Sequence, residues 1–223
     1  MRPIIYLSAL ALASLAATAP AQSAQDLVDR AATANARLNS VRAEFRQTLT
    51  NPLTGTTQSS SGQILRKKPN LLSISFTTGD RVVADGSTLW VYLPSSTPGQ
   101  VMKMPFNNGN AASVDPADQF LNSPRSRYTA AFAGSATVGG RSTHAVTLTP
   151  KRQNSGLTRA KVWIDDIDYS PRQFEIESAN GLVRRVVITS FMPNPNIDRS
   201  AFRFTPPKGA KIVDQSQMAG AAF

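Results

Sequence analysis

The sequence predicts an α+β domain built on one large, bent, mostly antiparallel β-sheet. Three observations predict it. About ten or eleven short segments alternate apolar and polar residues with the two-residue period of a half-buried strand. The turns between them are too short for the crossovers that parallel pairing of neighbouring strands requires. Only two segments, near residues 25–38 and 116–121, read as substantial helices.

The first element to place is one that leaves the fold. Arg2 precedes an apolar run over residues 4–17 and then Ala19-Pro20-Ala21, which is the composition of a cleaved secretory signal peptide; a membrane span needs roughly 20 apolar residues. Residues 1–21 are therefore set apart, and residues 22–213 are expected to form a single domain. Residues 25–38 follow as a helix with Leu27, Val28, Ala31 and Leu38 near one face. At Val41 the period changes to two, through Ala43 and Phe45, until Asn51-Pro52 and Gly55. Strands are expected next at 62–67, 71–77, 81–84, 88–93 and 100–104. Between Phe106 and Pro124 the β-branched residues thin out, and Asp115-Pro116 opens a short helix that ends near Leu121. Strands resume at 128–133, 144–149, 160–164, 172–178 and 182–191, with a weaker one at 202–204. Asn180-Gly181 is the strongest hairpin signal, because both residues tolerate the positive φ of a type I′ turn. Residues 214–223, rich in Gln, Ala and Gly, form an expected loose tail.

Composition narrows the function. The chain has no cysteine, which removes disulfides, thiol catalysis and lipid attachment through cysteine. Its net charge of +10 favours anionic neighbours; export and the lack of a nucleic-acid module argue against DNA or RNA. His144, the single histidine, has no partner for zinc or for activating a nucleophile. Asp165-Asp166-Ile167-Asp168 lacks the glycine and distal glutamate of a calcium loop and reads as a solvated turn. Asp85-Gly86 reads as another turn. No metal, cofactor or catalytic set is predicted, and a monomer is the expected state.

A sheet of this size has one face to cover. Pattern alone leaves two solutions open, a tight sheet-on-helix core or a sheet curled around a cavity.

Several stretches in their order resemble the outer-membrane lipoprotein carrier family, the periplasmic LolA-type chaperones. They are Phe45-Arg46-Gln47; Gly62 with Lys68-Pro69-Asn70-Leu71; Asp85-Gly86-Ser87-Thr88-Leu89-Trp90-Val91-Tyr92-Leu93-Pro94; Leu148-Thr149-Pro150-Lys151; and Phe202-Arg203-Phe204-Thr205-Pro206-Pro207-Lys208-Gly209. The resemblance implies an incomplete, unclosed β-barrel whose helices form a lid over an apolar cavity. It also implies partners: acylated lipoproteins as cargo, an inner-membrane ATP-driven extraction complex as donor, and an outer-membrane receptor of the same fold, or that membrane itself, as acceptor. No catalysis is implied. The family often has arginine where this chain has Lys68; Arg66, two positions away and on the same face of an extended segment, is the alternative guanidinium.

Under this reading the acyl-chain site is expected to draw on Phe45, Leu72, Ile74, Phe76, Trp90, Phe120, Leu121, Phe174 and Ile176. Each is otherwise an ordinary core side chain. Trp90 and Tyr92 share one face of a strand that is apolar on both sides. Arg66, Lys67 and Lys68 are expected to dock a partner or latch the lid, or else simply to face solvent. Two other functions fit the same fold: an envelope sensor or regulatory binding domain, and a carrier of free lipid or glycolipid.

Overall fold

The computed structural model describes residues 23–106, 114–152 and 156–215; the expected signal peptide and the tail beyond Gln215 lie outside these. Helix α1 (Ala24–Ala36) leads into β1 (Ser40–Asn51), β2 (Thr56–Lys67), β3 (Leu71–Phe76), β4 (Arg81–Asp85), β5 (Thr88–Tyr92) and β6 (Gln100–Pro105). Two short helices, α2 (Pro116–Leu121) and α3 (Pro124–Arg127), precede β7 (Tyr128–Val138), β8 (Arg141–Pro150), β9 (Leu157–Asp165), β10 (Pro171–Ser178) and β11 (Val183–Pro193). A 3-10 turn at Arg199–Phe202 and β12 (Lys211–Asp214) complete the order.

All twelve strands belong to one sheet, ordered β12-β6-β5-β4-β3-β2-β1-β11-β10-β9-β8-β7. Its two ends, β12 and β7, do not pair, so the barrel is unclosed. Consecutive strands pair as a meander, and the long hairpin of β1 and β2 joins the two halves through the pairing of β1 with β11. Register breaks at Glu44/Phe45, at Phe132/Ser135 and within β10 add local twist and bend.

Several details differ from expectation. Twelve strands form among the described residues, close to the ten or eleven expected, and one pair within the mostly antiparallel sheet, β12 with β6, is parallel. The short-connection argument holds only for strands adjacent in sequence, whereas more than a hundred residues separate β6 from β12. Phe202 ends a 3-10 turn instead of opening a strand. Asp214, assigned above to the loose tail, pairs with Lys103 as the last residue of β12. The β10–β11 hairpin forms, but only Gly181 has positive φ, at 83°, so the turn is not type I′. Helix α1 also stops at Ala36, short of Leu38.

Local chemistry explains the helices. The Ser23 hydroxyl accepts the Asp26 N–H and caps α1, whose buried residues are Leu27, Val28 and Ala31. Asp115 caps α2 through Ala117 N–H, and Pro116 occupies the first helical position, where its missing N–H costs nothing. These two helices cover the inner face of the sheet. The outer face of β2–β6 is crossed by the C-terminal segment: Ile197 and Phe202 pack on Leu71 and Leu65.

Candidate functional site

Strand alternation carries one apolar set to the inner face. Leu72 pairs across to Ala84, and Ile74 to Ile64 and Val82. Phe45 pairs with Gly62, and Phe174 with Val162 and Val186. Directly paired residues share a face, so these rows form a continuous apolar floor. A Cβ on Gly62 would stand 2.2 Å from the Ser75 carbonyl oxygen and 2.9 Å from the Phe45 ring; glycine is what lets that ring lie flat across the strand. From above, α1 contributes Leu27, Val28 and Ala31, and α2 contributes Phe120 and Leu121. Phe120 lies 6.0 Å from the Phe174 ring and 5.8 Å from that of Tyr128.

Of the nine residues expected at an acyl site, Phe45, Leu72, Ile74, Phe120, Leu121, Phe174 and Ile176 meet in this one buried cluster. Phe76 packs at its margin, its ring edge-on to Phe45 at 5.4 Å. Trp90 does not join them. Leu89 and Val91 take the inner face, and Trp90 faces outward, 5.9 Å from the Phe204 ring, with its indole N–H donating to Asp85 at 3.2 Å. The C-terminal segment, not the lid, supplies the cover that this ring needs. Floor residues that the sequence reading missed include Ile64, Val82, Leu89 and Met104; their alternation was legible but their strands were not assigned a face.

The lid is fastened through polar groups. Arg66 lies opposite Leu72 on β3 and Val41 on β1, so its guanidinium rises on the inner face. One nitrogen reaches Asp115 Oδ2 and Asp118 Oδ1, both at 3.2 Å, and another donates to Asn35 Oδ1 at 2.6 Å. A single residue of the sheet thus ties α1 and α2 together. Lys68, next on the same side, donates to the Ala36 carbonyl at the end of α1. Lys67 points the other way and donates to the Ile197 carbonyl at 2.8 Å, so it fastens the outer C-terminal segment and not the lid. Asp29 on α1 accepts from Arg125 Nε on α3 at 3.0 Å, and Gln119 O accepts from Arg127 and Tyr128.

The latch is short of positive charge. Burial pushes the Asp118 carboxyl above its ordinary pKa, and the neighbouring Asp115 carboxylate adds to this; Arg66 and Lys68 oppose it only in part. Beneath α2 a pocket of about 40 Å³ is lined by Ala43, Ile64, Phe174, Val186 and Ile188 among others. One water needs about 10–15 Å³ of such space, so the pocket would take about three waters and is far too small for an acyl chain. The lid is closed, and its own side chains fill the inner face. A wider open cleft of about 680 Å³ runs between the second half of α1, the 68–72 segment and the 121–124 segment.

The combination of an unclosed sheet, a helical lid and an arginine latch directs comparison with known proteins. The model of the family described as "Outer membrane lipoprotein carrier protein LolA" matches residues 36–205. The chain belongs to the LolA family. Relatives named outer-membrane lipoprotein carrier protein include one from Serratia proteamaculans, 29% identical with 88% of this chain and 90% of that one covered. Another, from Neisseria meningitidis, is 28% identical over 96% and 99%. Among solved structures, an uncharacterized conserved protein of Thermus thermophilus shares the fold at TM-score 0.55 and 14% identity, covering 86% of this chain and 98% of that one. The Pseudomonas aeruginosa MucA/MucB complex shares it at TM-score 0.50 and 17% identity, covering 82% and 61%.

Two polar clusters of this LolA family member lie outside the latch. Asp165 is not the solvated residue expected: it is 1% exposed, with Arg141 Nε at 2.7 Å and Arg172 Nε at 3.0 Å, and it accepts the Ile167 and Asp168 N–H groups. Burial disfavours its charge, yet these donors outweigh burial and hold the carboxyl well below its usual range. His144 has gained partners, Ser135 Oγ at 2.9 Å from Nδ1 and Asp166 Oδ1 at 3.4 Å from Nε2, at the bulge that bends the β7 edge. No cluster able to hold a metal ion occurs among the described residues, and no helix there is long and apolar enough to cross a membrane.

Proposed function

We propose that this protein carries acylated lipoproteins across the periplasm. It takes them from an inner-membrane ATP-driven extraction complex and shields their acyl chains against the inner face of the sheet. It then delivers them to the outer membrane, to a receptor of the same fold or to the membrane itself. The observation that carries this reading is the pairing of a large apolar floor with a thin lid fastened to it by a few polar contacts centred on the Arg66 guanidinium. The names of the relatives support it.

The energetics fit a carrier. Each methylene withdrawn from water contributes about 0.8 kcal/mol, so a bare acyl chain demands cover. In the closed state Leu27, Val28, Phe120 and Leu121 occupy the floor. Cargo replaces them, apolar surface for apolar surface, so the exchange is close to balanced and small biases from donor or acceptor set its direction. An apolar floor makes no directional demand on chain length or cargo sequence.

The test is purification of the protein from its envelope, with mass spectrometry of what accompanies it. Acylated lipoproteins are expected; free lipid alone, or a regulatory protein alone, would overturn the reading. Leu72→Glu is expected to abolish co-purification while leaving the circular dichroism of the sheet unchanged, because it places a charge on the floor. Normal cargo recovery with this variant would remove Leu72 from the site.

A further inference from the structure

Arg184 on β11 is directly paired with Ile176 on β10 and with Leu49 on β1, so it rises from the same inner face. It is half-buried, and burial lowers its pKa from the ordinary arginine value. Its neighbour Arg185, on the outer face, is paired with Glu175. Among the described residues the Arg184 side chain has no hydrogen-bond, ion-pair or ring partner. All fourteen acidic side chains of the chain fall within the described residues, and none of them reaches it. A partly desolvated cation without a counter-charge is a cost that folding alone does not explain, since buried charges are normally paired.

Its surroundings indicate what the missing partner is. Val186 and Ile188 follow Arg184 along the same face at the two-residue repeat, over about 13 Å of strand. Both line the pocket beneath α2, together with Phe174. A ligand held by Arg184 would therefore have an oxyanion at one end and an apolar chain running toward Ile188.

We infer that Arg184 is an anion-binding residue of the inner face, and that the site accepts an acyl chain ending in a single oxyanion, the carboxylate of a fatty acid or the phosphate of a phospholipid. The inference rests on the carrier reading, because the chain must lie where the lid now packs. The planar fork of arginine suits either headgroup.

The experiment displaces a fluorescent apolar probe, 1-N-phenylnaphthylamine, from the purified protein with oleate, oleoyl lysophosphatidate or neutral oleyl alcohol. Wild type is expected to bind at least one of the two anions about tenfold or more tightly than the alcohol. Arg184→Gln is expected to erase that preference while binding the alcohol as before, and Arg184→Lys to retain part of it. Whichever anion loses more identifies the headgroup. An undiminished preference in Arg184→Gln would overturn the assignment, as would a marked fall in its melting temperature, which would reveal a structural role. If the alcohol binds and charge never matters, only this inference fails; if no acyl ligand displaces the probe, the carrier reading fails with it.

Discussion

Two arginine–aspartate clusters in this molecule use the same residue types to opposite ends. At the latch, one guanidinium serves two carboxylates and an amide, and the Asp118 carboxyl is pushed up. At the β8–β10 turn region, two guanidinium groups and two backbone N–H groups serve Asp165, whose carboxyl is pulled down. The first joins separate elements, α1 and α2 to the sheet; the second joins strands that are already neighbours. What differs is the supply of donors: Asp165 has two guanidinium groups, shared with Asp168, and two N–H groups around one buried carboxylate, whereas the single Arg66 guanidinium is divided among Asp115, Asp118 and Asn35.

The largest test of this contrast is Asp165→Asn. It removes the buried carboxylate, leaving Arg172 and Arg141 only the half-exposed Asp168, and is expected to lower global stability by about 3 kcal/mol, measured as a shift in the urea midpoint with an unchanged slope. A change below about 0.5 kcal/mol would remove the contrast. Arg66→Leu is expected to act locally, lowering the free energy of lid opening by about 2 kcal/mol. Hydrogen exchange should then quicken in α1 and α2 while β8–β10 stays protected; equal acceleration everywhere would mean that the latch is part of the core. Lys68→Ala, which loses one hydrogen bond to the end of α1, should cost at most about 1 kcal/mol by the same readout.

Acid provides a subtler test, because the two clusters respond with opposite signs. In the closed lid Asp118 takes up its proton at a higher pH than the ordinary 3.8. The closed form therefore binds more protons than the open form above 3.8, and acidification through that interval favours closure, while raising the pH removes the contribution. Asp165 stays ionised below 3.8, so its contribution to folding is intact above that value and fades as the pH falls beneath it. Probe uptake should decline in mild acid before the melting temperature does. Uptake that instead rises there would show that loss of the Arg66 pair dominates the latch.

Much of the inner face was legible because local alternation writes it directly. Leu72/Ile74 and Phe174/Ile176 declare a shared side, and the strand partners follow from the meander. Trp90 was not legible, because its strand is apolar on both sides; what decides its face is Phe204, more than a hundred residues away. The first half of β2, Thr56 to Ser61, carries no apolar signal, since it extends into the long hairpin where both faces are wet. Arg66 was recognisable as the one guanidinium beside the 68–70 turn, but its carboxylate partners come from a helix and its cap that sequence spacing does not place above β2. Arg184 reads in the sequence only as half of a basic pair with Arg185 on a solvated face, because a missing counter-ion is visible only in three dimensions.

The parallel strand at Lys211–Asp214 bears on how the molecule is made. As the chain emerges N-terminus first, residues 100–105 present an unsatisfied row of amides and carbonyls until residues 211–214 have been synthesised. A nascent or truncated chain lacking residues 211–214 would hold that border bare and invite pairing between molecules. Pairing with β12 thus moves the free edge from the six residues of β6 to a four-residue strand bounded by Lys211 and Asp214, a shorter and charged border that resists self-association.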